Sequence, residues 1–223
     1  MTTEQEQNLA DAEITLIKIG FIGAGGTGKT SVARILHHLP EPFRPSIVRA
    51  TMAAHGVTSE ADQLGMSEEE RWCLQRALIQ AKRAQDEEFT YGLFDRTPID
   101  HMGYIMHRCA NVIPDKEFEE LWALYTDLTS RYDLLVYFPV YDWGVNHEDG
   151  FRQGNRSYRV KQHLLMHSIA LEMGFGLQLV EMANISPEAR AEFLMPRIEE
   201  AREAKRERER LRTALSYEGG PLR

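Results

Sequence analysis

Residues 21–33 read FIGAGGTGKTSVA. Within them, GAGGTGKT (Gly23 to Thr30) fits the pattern G-x-x-x-x-G-K-[ST] without a mismatch. The glycines at 23, 25, 26 and 28 let the backbone turn so that several N–H groups face one point. A helix beginning there adds partial positive charge. Lys29 is placed to reach β- and γ-phosphates, and Thr30 to offer a hydroxyl to Mg²⁺. The context agrees. EITLIKIGFIG, residues 13–23, alternates and then becomes almost wholly apolar, as a strand buried on both faces does. The stretch is therefore a phosphate cradle, and its ligand is expected to be ATP with Mg²⁺. The nucleotide-binding residues are expected to be Gly25, Gly26, Thr27, Gly28, Lys29, Thr30 and Ser31.

Working outward, a helix from about Thr27 to Leu39 is stopped by Pro40. PEPFRP, with three prolines, reads as a loop, and SIVRA (residues 46–50) as a short second strand. SEEE at 67–70 spells a capping box before a helix reaching about Phe89. YGLFD is a third strand ending at Asp95, and Pro98 suits the first turn of a helix to about Cys109. DKEFEELWALYTDLTS is helical, and DLLVYFPV is a fourth strand. A polar loop follows, then a helix from about Tyr158 to Met173. GLQLVEM is a fifth strand, and a charged helical region occupies 186–215, with Pro196 expected to kink or break it. Strands alternating with helices imply an α/β fold, a doubly wound five-stranded parallel sheet with helices on both faces. Residues 13–223 are expected to form one domain and residues 1–12 a disordered tail.

On such a sheet, ligands bind beyond the carboxyl ends of the strands. Asp95 ends a strand and should face the crevice that holds Lys29. A carboxylate there can hold a metal water, making Asp95 a metal candidate with Thr30, or accept a proton from an attacking hydroxyl. Arg96 beside it can fork onto a phosphate or a substrate oxygen. Asp100 lies one turn further on, where helix starts favour acids in any case. Arg152, Arg156 and Arg159 recur at spacings of four and three. They fall in or just after the long loop, which reads as a lid over about 141–158 able to close on a transferring phosphate. Glu148 and Asp149 can order that lid or touch a metal, and Trp143 can stack on a base or pin it.

The bulk properties set limits. The chain has 223 residues, 43% of them apolar and 27% charged, which suits an ordinary globular domain. A net charge of −8 argues weakly against a polyanionic partner. Nothing is apolar and long enough for a membrane span or shaped like a secretory leader, and the two cysteines, Cys73 and Cys109, make no disulfide framework. The expected setting is the cytoplasm, or the host cytoplasm for a viral protein, with no membrane partner. The histidines form no metal-binding pattern, and His163 with His167, at i,i+4, are read as structural. The tail EEAREAKRERERLR mixes signs, with Glu203–Arg206 and Glu207–Arg210 as pairs on a solvated helix.

The cradle, the Asp-Arg of FDRTPID and the YDLLVYFPV…DW…EDGFR…R stretch together resemble the P-loop nucleoside and nucleotide kinase superfamily, thymidylate-kinase-like and nicotinamide-riboside-kinase-like enzymes included. The likeness spans roughly residues 13–183. It implies transfer of the ATP γ-phosphate to a hydroxyl of a nucleoside- or nucleotide-type acceptor. It further implies that Asp95 is the base, that Lys29 and Arg96 organise phosphates, and that the lid arginines Arg152 and Arg156 stabilise the transferring group. The superfamily also includes phage enzymes that phosphorylate 5-hydroxymethyluracil within DNA. Under that alternative the partner is a modified base in DNA, with RPSIVRATMAAHG, Arg71, Arg76, Lys82 and Arg83 as groove candidates. A third reading is an NTP-hydrolysing regulator with water as the only acceptor.

Overall fold

The computed structural model describes residues 14–141 and 156–218. The expectations for residues 1–12 and for most of the 141–158 lid, with Arg152, Trp143, Glu148 and Asp149, lie outside those residues. Five parallel strands are β1 (Lys18–Ile22), β2 (Phe43–Arg44), β3 (Gly92–Asp95), β4 (Leu134–Tyr137) and β5 (Leu179–Glu181). They stand in the order β2-β3-β1-β4-β5. The helices are α1 (Lys29–Ile35), α2 (Val48–Ala54), α3 (Glu60–Gly65), α4 (Glu68–Glu88), α5 (Pro98–Cys109), α6 (Asp115–Ser130), α7 (Arg156–Glu172) and α8 (Pro187–Glu218). Short 3₁₀ turns at Leu36–His38 and Gly176–Gln178 follow α1 and precede β5.

The central strand shows how the two faces are built. Alternate side chains of a strand leave on opposite faces. Ile19 and Phe21 join Leu93 and Val136 in a core with Val32 of α1 and Leu194 and Ile198 of α8. Ile22 joins Phe94, Leu135 and Tyr137 in a second core with the inner faces of α5, α6 and α7. Gly20 shares that second face because nothing larger fits. A Cβ there would stand 2.5 Å from Thr97 Cγ2 and 2.8 Å from the Tyr132 ring. Edge-on ring contacts, Phe21 with Phe138 at 5.2 Å and Phe94 with Tyr132 at 5.5 Å, fill the two layers.

At the end of the sheet away from the cradle, Lys18 is buried. Its Nζ lies 2.8 Å from Asp86 Oδ1, while Lys82 lies 3.2 Å from Asp86 Oδ2 and Tyr132 donates to Oδ1 at 2.6 Å. Burial lowers the pKa of both lysines, and the Asp86 charge opposes that shift.

Three expectations need correction. The second strand is not SIVRA but Phe43–Arg44, inside the proline-rich stretch read as a loop. It is an edge strand, where prolines are tolerated because one side needs no N–H donor. The Pro42 carbonyl accepts from Leu93 N at 2.9 Å. Val48 instead opens α2, whose alanines and methionine are good helix formers. Pro196 does not break the last helix. It lies on the exposed side of α8, where water can solvate the carbonyl it frees, while Ala191, Leu194 and Ile198 hold the other side in the core. The charged run is not wholly solvated either. Glu207 does meet Arg210 at 3.7 Å, but Arg202 is buried against Glu41 at 2.5 Å. Lys205 and Arg208 both reach Asp133, at 3.2 and 2.6 Å.

Candidate active site

The turn from β1 into α1 has the left-handed backbone that its glycines permit, with φ of 144° at Gly23, 79° at Gly26 and 90° at Gly28. A Cβ at Gly23 would stand 2.5 Å from the Phe138 carbonyl oxygen, whereas one at Gly25 would meet nothing within 4 Å. The loop is thus held from below and open above. Lys29 is buried and folds back over this loop, its Nζ donating to the carbonyls of Gly23 at 2.6 Å and Ala24 at 2.8 Å. Thr27 is buried and donates to the Ala24 carbonyl. Ser31 is exposed in the first turn of α1.

Asp95 ends β3, which pairs directly with β1. Its Oδ2 lies 3.3 Å from Thr30 Oγ1, so the expected metal pair is brought together. Arg96 follows with φ 80°, alone among the described non-glycine residues in having a positive φ. Such strain is held only where the surroundings over-determine it. Here the Arg96 N–H donates to the Phe21 carbonyl at 3.1 Å, and its guanidinium lies 4.9 Å from the centre of the Tyr104 ring. Its Nη1 is shut from solvent with no hydrogen-bond partner. Burial works against the Arg96 charge, but Tyr104, Asp100 and Asp95 outweigh it and push its pKa up.

Asp100 proves central, beyond the helix-start role its position suggested. It is fully buried. One oxygen accepts from Gly23 N at 2.9 Å; the other accepts from Thr97 N at 2.8 Å and Thr97 Oγ1 at 3.1 Å. It therefore caps α5 and fixes the first residue of the cradle with the same carboxylate. Burial pushes its pKa up, while Lys29, Arg96 and the donated hydrogen bonds pull it down.

Arg190 was not anticipated. It lies in the first turn of α8, where a cation opposes the helix dipole, and that misplacement was the available sequence signal. It is fully buried, donating Nη1 to the Thr27 carbonyl at 2.9 Å and Nε to the Ala183 carbonyl at 3.0 Å. The loop after β5 is thereby tied to the cradle.

Arg156 opens α7 and is exposed, and Arg159 is half-buried one turn on. Of the groove candidates, Lys82 is buried beside Asp86, and Arg76 and Arg83 pair with Glu117 and Glu87 at 2.6 and 2.8 Å. These three therefore do not form a basic groove. Among the described residues, no three His, Cys, Asp or Glu side chains are grouped to hold a metal, and no helix is long and apolar enough to cross a membrane. His163 meets the Tyr137 hydroxyl at 2.5 Å and His167 meets Glu181 at 3.1 Å, as structural histidines do.

Residues 18–190 match the family described as AAA domain. No curated protein matches the chain by sequence. The fold is similar to that of NadR protein in complex with NAD and AMP-PNP (TM-score 0.60, 16% identity, 84% of this chain and 50% of that one). It is similar to thymidylate kinase from Candida albicans (TM-score 0.60, 12% identity, 84% and 94%). It is also similar to deoxyadenosine kinase from M. mycoides with bound dATP (TM-score 0.56, 13% identity, 82% and 100%). The chain spans about half the length of the NadR chain. At these identities the likeness is one of fold, and the fold is the one the resemblance implied.

Proposed function

The chain belongs to the AAA domain family, and from that premise we propose that it is a Mg²⁺-dependent kinase. It moves the ATP γ-phosphate to a hydroxyl of a nucleoside- or nucleotide-type acceptor. The observation that carries this reading is the meeting of three groups at the strand ends. The Lys29 amine lies over the glycine loop, the Thr30 hydroxyl stands at its exit, and the Asp95 carboxylate lies 3.3 Å from that hydroxyl.

The residues present fit the ligands this requires. Left-handed glycines shape a loop that is open above Gly25, and Lys29 Nζ rests on the Gly23 and Ala24 carbonyls and the Thr27 hydroxyl, neutral groups that phosphate oxygens can replace. Thr30 and Asp95 offer the hard oxygens magnesium prefers and would hold it, with the ATP phosphates and water completing its shell. Bound there, Mg²⁺ would neutralise charge on the phosphates.

The chain's own groups then divide the work. Gly25, Gly26, Thr27, Gly28 and Ser31 surround the phosphates, and Lys29 carries the charge that draws them in. Asp95 takes the proton of the acceptor hydroxyl as its oxygen bonds to the γ-phosphorus. The bond from that phosphorus to the bridging oxygen breaks, and ADP leaves. Arg96, strained and stacked on Tyr104, positions the acceptor or its phosphate. Arg156, at the start of α7, is assigned to stabilising the transferring group as its charge spreads, and Arg152, outside the described residues, is assigned the same role. Catalysis of this kind is mainly positioning and electrostatics.

The test is transfer from γ-labelled ATP with Mg²⁺. The panel holds free nucleosides, nucleotides, nicotinamide riboside, and DNA with and without hydroxymethylated pyrimidines. Label on a nucleoside-type small molecule is the expected result. Label retained on hydroxymethylated DNA alone would replace this reading with the polymer kinase. Release of free phosphate with every acceptor would replace it with an NTP-hydrolysing regulator.

A further inference from the structure

Helix α5 begins three residues after Asp95 and carries a second cation to its far end. Arg108, in its last turn, is half-buried. Its Nη1 donates to Gln63 Oε1 of α3, and its Nη2 donates to the Tyr158 hydroxyl of α7 at 3.4 Å. Both partners are neutral oxygens. The chain has 34 acidic residues, and Arg76, Arg83, Arg131 and Arg208 each meet a carboxylate within 4 Å, but none meets Arg108 among the described residues. A guanidinium drawn partly out of water without an anion is costly unless an anion arrives.

The negative end of the α5 dipole offsets part of this charge, but among the described residues no carboxylate lies within 4 Å of it. The His107 ring packs edge-on against the Tyr158 ring, centroids 5.0 Å apart. Burial, with Lys161 and Arg108, lowers the His107 pKa to about 4, so that ring is neutral at pH 7. Burial raises the Tyr158 pKa, so its hydroxyl stays protonated. One turn back along α5, Tyr104 carries the Arg96 guanidinium on its face. Tyr158 lies close enough to Tyr104, Arg108 and Arg96 for their charges to act on it, so Arg96, Tyr104, Tyr158 and Arg108 form one wall, a cation at each end and aromatic rings between, with Asp95 next to Arg96 in sequence.

Spacing separates the two ends. Arg108 is ten residues past Pro98, and at about 1.5 Å per residue, less the backward lean of a long side chain, its guanidinium stands roughly 10 Å along α5 from the helix's first turn, which follows Asp95 by three residues. That is about the length of a nucleoside.

We propose that this wall is the acceptor site, and that Arg108 selects an acceptor carrying an oxyanion at the end remote from the hydroxyl that Asp95 activates. The acceptor is then a free nucleotide or acid, not an uncharged nucleoside. The proposal rests on the kinase reading for the role of Asp95. Phosphate monoester and carboxylate both match the planar fork of arginine, so the shared chemistry is the oxyanion.

Two matched pairs of probes separate the sources. One is 5-hydroxymethyl-2′-deoxyuridine with and without its 5′-phosphate. The other is nicotinic acid riboside against nicotinamide riboside. Binding is measured by calorimetry in the presence of Mg²⁺ and a non-hydrolysable ATP analogue. In at least one pair the member carrying the extra oxyanion should bind at least tenfold more tightly. Arg108→Gln should abolish that preference without changing affinity for the ATP analogue, and Arg108→Lys should retain part of it. A thermal melt of each variant identifies loss of fold, in which case the Lys variant carries the test.

Equal binding within both pairs overturns the proposal. So does a preference that survives Arg108→Gln, or no binding of any probe. Binding confined to an oligonucleotide containing 5-hydroxymethyluracil overturns the free-nucleotide assignment. An Arg108-dependent preference without phosphate transfer to any acceptor would leave the oxyanion site standing and remove the kinase reading.

Discussion

Asp100→Asn tests the claim that one buried carboxylate joins the cradle to the helix behind it. The substitution keeps volume and shape. The amide oxygen can still accept from Gly23 N, but the amide nitrogen now faces Thr97 N and Oγ1, which donated to the carboxylate at 2.8 and 3.1 Å. One accepted hydrogen bond survives of the three. Bonds to a charged group contribute about 1.5–3 kcal/mol each and are not additive, and a buried donor left unpaired costs about 1–3 kcal/mol. A loss near 3 kcal/mol follows, within the range of about 3–5 kcal/mol for breaking a buried charged assembly. For a chain of this size each kcal/mol moves Tm by about 2–4 °C, so the melt should fall by about 6–12 °C. Lys29 also loses its buried counter-charge, so the Tm rise on adding ATP and Mg²⁺ should shrink. Differential scanning fluorimetry with and without nucleotide reads both effects. A melt within 2 °C of wild type, with an unchanged nucleotide shift, would refute the argument.

Lys29→Met should remove the nucleotide-induced stabilisation, which for a ligand at a hundred times its Kd amounts to about 2.7 kcal/mol; the melt with saturating ATP should match the melt without it. Arg190→Met should raise the KM for ATP about tenfold, equivalent to about 1.4 kcal/mol, through loss of the bonds to Thr27 and Ala183, with a smaller change in kcat. Steady-state kinetics at saturating acceptor separate the two. His107 has its pKa lowered from 6.5 to about 4 by burial, then by Lys161 and Arg108. The unfolded chain therefore binds more protons between those values, and the stability His107 contributes is full above pH 6.5 and lost as pH falls toward 4. His107→Gln should flatten that limb of a Tm-against-pH curve; a limb of unchanged slope would contradict the assignment.

How far the fold could be read from residues depended on whether a local pattern stood alone. The glycine loop, the third and fourth strands and the helices opening at Pro98 and Asp115 were legible because periodicity, caps and prolines agreed. Phe43–Arg44 was not, because pairing with Leu93 and Phe94 outweighs the flanking prolines, and that pairing is set by the sheet. The charged run of α8 looked solvated because Arg202, Lys205 and Arg208 find Glu41 and Asp133 far away in sequence.

The site divided in the same way. The places of Lys29, Thr30 and Asp95 were legible because the motif and the strand end fix them. Asp100 was legible only as an acid at a helix start; the capping box it makes with Thr97 and its bond to Gly23, 77 residues away, come from packing. Arg190 reaches Thr27 across 163 residues. Arg108 drew no notice as one arginine on a helix, and its significance comes from the neutral partners Gln63 and Tyr158 that only packing brings to it.

The most direct test of phosphoryl transfer by this site is Asp95→Asn, measured for turnover and for ATP affinity on the same preparation. Loss of a general base should cut kcat by roughly 10²-fold or more, while ATP affinity stays near that of wild type because Lys29 and the loop backbone are untouched. Wild-type turnover in this variant would contradict the account, and a new base would have to be sought.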